Sequence, residues 1–282
     1  MPERPWPAPA KLNRFLHITG RRADGMHELQ TVFQFIDLCD ELSFTVRTDA
    51  GIRHLNPLAG VDPETDLTVR AARLLQSETG CRLGAEIHIN KRLPLGGGLG
   101  GGSSDCATTL VALNRLWGLE LPVERLADLG LGLGADVPVF VHGRAAWAEG
   151  VGERLTPVEL DEPWFVVIRP DCEVSTAAVF AAPGLTRSTP PMTIRGFLDG
   201  GGGNDCEAVV RELFPAVAEA QDWLGRHAPA RLTGTGACIF APFADRETAA
   251  TIAARIPARW QGFIARGLNE SPLLGRLQQE MQ

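Results

Sequence analysis

Between Pro94 and Asp105 the chain reads PLGGGLGGGSSD, with six glycines in seven successive positions and two serines and an acid directly after. Glycine loses more conformational freedom on folding than any other residue, so a run this dense needs a physical reason. A flexible linker is one reason; a backbone that must come very close to a ligand is the other. The flanking pattern favours the ligand. AEIHINK before the run alternates as a strand, and SSDCATTLVALNRLWG after it reads as a helix closed by Gly118. Linkers seldom separate elements so tightly spaced. A strand, a glycine loop and a helix in succession aim backbone N–H groups and the positive helix end at one point, which is chemistry for a phosphate.

Three common phosphate loops do not fit. Gly96, Gly98 and Gly101 satisfy G-x-G-x-x-G, but Lys91, Arg92 and Pro94 separate them from the strand, and no strand ending in an acid follows the helix. No Gly-Lys-Ser or Gly-Lys-Thr exists for a Walker loop. The H-R-D and D-F-G segments of protein kinases are absent. The loop cradles phosphate by another scheme.

The elements that must hold it are a mixture of strands and helices. KLNRFLHITG alternates, with Leu12, Leu16 and Ile18 on one face and Lys11, Asn13 and His17 on the other. Asp24-Gly25 marks a turn, and LQTVFQFIDLCDELSFTV follows as one or two strands. DLTVRAARLLQSETG predicts a helix capped by Asp66 and stopped by Gly80. PVERLADLGLGLG predicts another from Pro122, and VPVFVHG, RAAWAEG and WFVVIRP read as strands. In the second half CEAVVRELF, AVAEAQDWLGRH and DRETAATIAARI read as helices, and ARLTGTGACIFAPF and GFIARGL as strands. The order is α+β rather than a regular βαβ series. A boundary near Asp161–Pro163 divides the chain into lobes of 1–160 and 161–282.

Composition narrows the function classes. The 282 residues carry a net charge of -7, with 44% hydrophobic and 22% charged residues. That balance suits a soluble globular protein and argues against a broad nucleic-acid surface. No run of 18 apolar residues suggests a membrane span, and the proline-rich N-terminus lacks the apolar core of a signal peptide. The six cysteines include no C-x-x-C pair, so they read as reduced, mostly packed thiols of a cytoplasmic protein.

PAKLN (Pro9–Asn13), PLGGGLGGGSSD and LTGTGAC (Leu232–Cys238) stand in the order and at roughly the separations of the three motifs of the GHMP small-molecule kinases, which the chain resembles. Longer blocks, including ITGRRADGMHELQTVFQFID, LGADVPVFVHGRAAWAEGVGERLTPV and NDCEAVV, are similar to the branch of that family acting on 4-diphosphocytidyl-2-C-methyl-D-erythritol. The resemblance implies a two-lobed fold: an N-terminal lobe like domain 2 of ribosomal protein S5 and a C-terminal ferredoxin-like lobe, with the site between them. It implies ATP as co-substrate with Mg2+, metal ligands unassigned, and transfer of the γ-phosphoryl group to the tertiary 2-hydroxyl of a cytidine-diphospho-methylerythritol.

Carried onto this sequence, the resemblance makes Asp136 the catalytic aspartate, as general base or orienting group, and Lys11 its partner. Pro94, Leu95, Gly96, Gly97, Gly98, Leu99, Gly100, Gly101 and Gly102 would wrap the triphosphate. Ser103 and Ser104 would touch phosphate or magnesium, or cap the helix. Asn13 would reach the acceptor, His27 would hydrogen-bond cytosine, Phe180 would stack on it, and Thr235 and Gly236 would line the cleft. Asp205 matches a family position without a role. Met26 stands where the family usually carries a stacking tyrosine; the chain has no tyrosine, and a thioether can still pack on a ring. No membrane or nucleic-acid partner is expected, and a monomer or weak homodimer is. Another GHMP kinase, or a catalytically silent GHMP-like binding protein, is the alternative.

Overall fold

A computed structural model of the chain describes residues 4–57, 61, 62 and 64–280. Its first two strands, β1 (Trp6–Arg21) and β2 (His27–Arg47), form a long hairpin whose turn carries Asp24, Gly25 and Met26. β2 stays one strand through its bulges. Register shifts after Pro9, Asn13 and Ile18 break the strict alternation expected of β1. As a result Leu12, Leu16 and Ile18 do not share one core, and Lys11 and Asn13 are buried rather than solvated.

β3 (Ile52–His54), α1 (Leu67–Thr79) and β4 (Gly84–Asn90) come next. Asp66 caps α1 by accepting from the N–H groups of Thr68 and Val69, and Gly80 ends it in the left-handed region, as the sequence predicts. α2 (Gly101–Leu116) follows the glycine loop, then α3 (Val123–Leu131), α4 (Val137–His142), β5 (Ala146–Gly150) and β6 (Arg154–Pro157). The second half runs β7 (Trp164–Arg169), α5 (Thr176–Ala181), α6 (Ile194–Leu198), α7 (Glu207–Leu213), α8 (Pro215–Gly225), β8 (Arg231–Leu232), β9 (Ile239–Phe243), α9 (Arg246–Ala253), β10 (Gln261–Leu268) and α10 (Pro272–Glu280).

Three expectations need correcting. VPVFVHG is the helix α4, not a strand. All five residues from Val137 to Val141 are buried, so no polar position sets a period, and a short apolar run then reads either way. Pro138 fits a first helical turn, and Gly143 closes the helix at φ 67°. Neither Ser103 nor Ser104 caps α2; Gly100 occupies the cap without a side-chain bond. ARLTGTGACIFAPF is not one strand but β8 and β9, folded back through Thr233–Cys238 with Gly234 and Gly236 at positive φ.

The strands join in the order β3-β4-β2-β10-β7-β9-β8, with β1 and β5 also paired to β2. β10 thus bridges β2 and β7. One core packs α1–α4 on β2, β4 and β5, and a second packs α7–α9 on β7 and β9. A third lies between them, formed by Ala10, Leu12, Ile36, Leu99, Phe165 and Phe240 among others. β1 contributes to all three: Trp6 and Ala8, then Ala10 and Leu12, then Leu16 and Ile18.

Candidate active site

The glycine loop crosses from β4 to α2 with Gly96, Gly98 and Gly100 at φ 64°, 74° and 75°, a region L side chains rarely adopt. Conformation is only half of the need for glycine. A Cβ on Gly98 would stand 2.3 Å from Thr233 O, one on Gly97 2.7 Å from Cys238 Sγ, and one on Gly100 2.7 Å from the Phe140 ring. The loop is therefore pressed against the Thr233–Cys238 turn and laced to it. Cys238 N donates to Gly97 O at 3.1 Å, and Thr233 Oγ1 to Gly98 O at 3.2 Å. Lys11 N donates to Leu99 O at 3.0 Å from the other side. The three sequence motifs meet here. Burial pushes the Cys238 and Cys106 thiols up to about 12, so both are packing groups rather than nucleophiles.

Under the loop, Lys91 Nζ reaches Asp40 Oδ2 at 2.5 Å and Asp105 Oδ2 at 2.8 Å. Asp40 Oδ1 accepts the N–H groups of Arg92 and Leu93 at 2.5 and 2.8 Å, which fixes how the chain enters the loop. Burial, with the nearby Asp40 charge adding to it, raises the Asp105 carboxyl to about 7 against the pull of Lys91.

A cleft of about 700 Å³ opens beside the loop and runs to the β1–β2 turn. In its wall Lys11 Nζ donates to Asn13 Oδ1 at 2.6 Å and to Gly98 O at 2.9 Å, and lies 3.4 Å from Asp136 Oδ2. Lys11 reaches this point because β1 is threaded between the cores; its side chain is 4% exposed and that of Asp136 33%. Asp136 precedes α4 and makes no side-chain cap bond there, which leaves the carboxylate free to face the cleft. Asn13 is held by Nδ2 donating to Thr31 Oγ1 and by its N–H donating to Thr233 Oγ1.

At the far end the rings of His27 and Phe180 stack, with centroids 4.8 Å apart and planes at 24°. Met26 lines the same end and is half exposed. Pro94 through Ser103 line a smaller hollow of about 260 Å³ on the loop side, and Gly98, Gly100 and Ser103 line both spaces. Lys11, Asn13, Met26, His27, Asp136, Phe180 and Thr235 are brought together around the main cleft. Two residues stand apart. Gly236 sits behind Gly234 and Thr235, bonding Thr233 O. Ser104 is fully buried, its Oγ unpartnered among the described residues. Asp205 accepts from Ile18 N and Thr189 Oγ1, tying the second half to β1.

Sequence reasoning missed Phe33, whose ring centre lies 5.5 Å from Lys11 Nζ. It also missed Thr31, and Thr176, which bonds Thr235 Oγ1 at 2.9 Å. Phe33 and Thr31 could have been found from the β1–β2 register, since Asn13 pairs with Phe33; Thr176 left no signal.

Two family models match the chain: GHMP kinases N terminal domain over residues 66–144, and GHMP kinases C terminal over 192–262. The 4-diphosphocytidyl-2-C-methyl-D-erythritol kinase of Alkalilimnicola ehrlichii is 62% identical over 277 residues, covering 98% of this chain and 95% of its own. That of Nitrosococcus oceani is 60% identical over 273 residues, covering 97% and 98%. A crystal structure of 4-(cytidine 5'-diphospho)-2C-methyl-D-erythritol kinase superposes with a TM-score of 0.81 at 32% identity, covering 93% of this chain and 98% of that one. Methanococcus jannaschii mevalonate kinase shares the fold, with a TM-score of 0.69 at 16% identity over 93% and 97% of the two chains.

Proposed function

Since the chain belongs to the GHMP kinases, in their 4-diphosphocytidyl-2-C-methyl-D-erythritol kinase branch, we propose that it moves the γ-phosphoryl group of ATP to the 2-hydroxyl of that diphosphocytidyl polyol, a step toward isoprenoid precursors. The observation that carries this reading is the Lys11–Asp136 pair, placed in one cleft between a backbone phosphate loop and a pair of stacked rings. Having both pairs on one cleft suits an acceptor that carries a nucleobase and an alcohol.

Phosphoryl transfer passes through a loose transition state, so positioning and charge stabilisation do most of the work. The Asp136 carboxylate takes or orients the proton of the tertiary hydroxyl, a crowded and weak nucleophile. Lys11 pairs with that carboxylate at 3.4 Å and so fixes where it stands. Its ammonium also contacts Gly98 O, so one cation joins the acceptor side to the loop side and meets charge developing between them. The N–H groups of the loop and the start of α2 take the ATP phosphates. Magnesium brought in with the nucleotide would neutralise phosphate charge, and Ser103, which lines both spaces, is the residue that would help to hold it. Asn13 and Thr235 bind the acceptor's polar middle, and His27, Met26 and Phe180 its base. The first lobe, residues 1–160, supplies the loop and the pair, and the second, 161–282, supplies Phe180 and Thr235.

The test is ATP turnover with the purified chain against a panel of alcohols. Phosphorylation of 4-diphosphocytidyl-2-C-methyl-D-erythritol with mevalonate, homoserine and galactose inert supports the reading. Turnover of another alcohol, or of none, sinks it.

A further inference from the structure

We propose that Arg187 is the positioning residue of the base subsite: it fixes the tautomer of His27, ties down the end of α5, and so sets which pyrimidine the cleft accepts. The inference rests on the reading of that end of the cleft as a base subsite. Arg187 lies in the loop after α5. Its Nε donates to His27 Nε2 at 3.3 Å. Its Nη2 donates to Phe180 O at 2.8 Å and Ala182 O at 2.9 Å, and its Nη1 to Leu185 O at 3.1 Å. One planar fork therefore bonds the His27 ring and the main chain that carries the Phe180 ring stacked on it.

A guanidinium has donors only and keeps its proton at any ordinary pH. His27 Nε2 must then present its lone pair, and the ring proton sits on Nδ1. Burial, then the Arg187 charge, then that of Arg21, lower the His27 pKa from its ordinary value, which favours the neutral ring. Neutral His27 thus offers the cleft a donor, Nδ1–H. Bases are read along their hydrogen-bonding edge. The ring N3 of cytosine accepts, whereas the same atom of uracil carries a proton and would face the donor unpaired. Leaving polar groups unpaired in a pocket is the strongest discriminator available to such a site. With Arg187 removed, His27 can turn either nitrogen to the base, and Phe180 loses the tie on its own carbonyl.

The test compares the wild-type protein with Arg187→Met and Arg187→Lys, each 15N-labelled at histidine. Long-range proton–nitrogen correlation spectra without ligand should show wild-type His27 protonated at Nδ1 and bare at Nε2, with the Nε2–H form growing in Arg187→Met. Steady-state kinetics should show Arg187→Met raising the acceptor KM about tenfold or more, equivalent to at least about 1.4 kcal/mol, with kcat and ATP KM nearly unchanged. The preference for the cytidine acceptor over its uridine analogue should fall by a similar factor. Arg187→Lys keeps the charge but cannot span a ring and two carbonyls, so it should restore only part. A wild-type ring protonated at Nε2 overturns the proposal. So does equal loss on both pyrimidines, which would mark a merely structural role. If Arg187→Met does not fold, the wild-type tautomer and Arg187→Lys decide. If no cytidine acceptor is turned over, the functional reading falls while the spectra still judge the His27 assignment.

Discussion

At the loop end of the cleft, Gly97, Gly98 and Gly100 are held by main-chain bonds and by the absence of side chains, with no room for a Cβ. At the end proposed to take the base, Met26, His27 and Phe180 stand on a turn, a strand start and a six-residue helix, with Met26 half in solvent. Phosphate is the same on every nucleotide, so a rigid backbone cradle suffices for it. A base must be told from other bases, and that takes side-chain edges and faces. Substitutions should therefore act differently at the two ends, and differently again at the Lys11–Asp136 join.

The largest effect belongs to the join. Asp136→Asn should cut kcat by roughly 10²–10⁴, the range for losing a positioned base, while ATP and acceptor still bind by calorimetry. Lys11→Ala should act likewise, and the double variant should lose far less than the product of the two factors if the pair works as a unit. Multiplicative losses would break that unit.

At the base end, Phe180→Ala should raise the acceptor KM by about 10- to 100-fold, since stacking on a base contributes about 1–3 kcal/mol, with ATP KM unmoved. A parallel rise in ATP KM would erase the distinction between the ends.

At the loop end, Gly98→Ala should destabilise the fold by at least about 1–2 kcal/mol from the left-handed backbone alone, before the approach to Thr233 O is counted. Gly102 has only Leu67 Cδ1 nearby, at 3.7 Å, so Gly102→Ala should leave stability within about 0.5 kcal/mol. Urea denaturation of both decides. Equal stabilities would show that the loop tolerates what its geometry forbids.

Met26→Tyr should tighten acceptor binding by no more than about tenfold, because sulfur–aromatic and base-stacking energies overlap; acceptor Kd by calorimetry reads it. The smallest effect concerns Asp105. Its raised pKa means that, from about pH 4 to 7, the unfolded carboxyl loses its proton while the folded one keeps it. Stability through this group therefore falls as pH rises. Asp105→Asn should leave Tm unchanged at pH 4 and raise it by a few degrees at pH 8.

The parts legible in the sequence were those with local causes. Asp66 and Gly80 bound α1 by capping chemistry that needs no tertiary context. The dense glycines marked a loop between a strand and a helix, and the loop does run from β4 to α2. α4 was misread because Val137–Val141 are all buried, and burial on every side erases the period that separates helix from strand. The break between β8 and β9 was invisible because its cause is non-local: Thr233–Cys238 turns where the glycine loop packs on it. The bulges of β1 likewise go with one strand serving four hydrophobic clusters, the fourth through Phe15. Arg187 carries no local mark; its partners lie 160 residues back and a few residues behind.

The path of β1 also bears on how the chain is made. Its pairing strand β2 is bordered by β10, where Ile36 meets Gly267, and α10 covers the other end of β1, with Arg276 4.6 Å from the Trp6 ring centre and Arg4 bonded to Gln279. During synthesis β1 and β2 are made well before β10 and α10, so their sheet is completed only when those later elements have formed. Contacts so distant along the chain slow folding and leave strand edges open meanwhile. Until β10 forms, the edge of β2 that it will border stays uncovered, and an open strand edge is prone to aggregation.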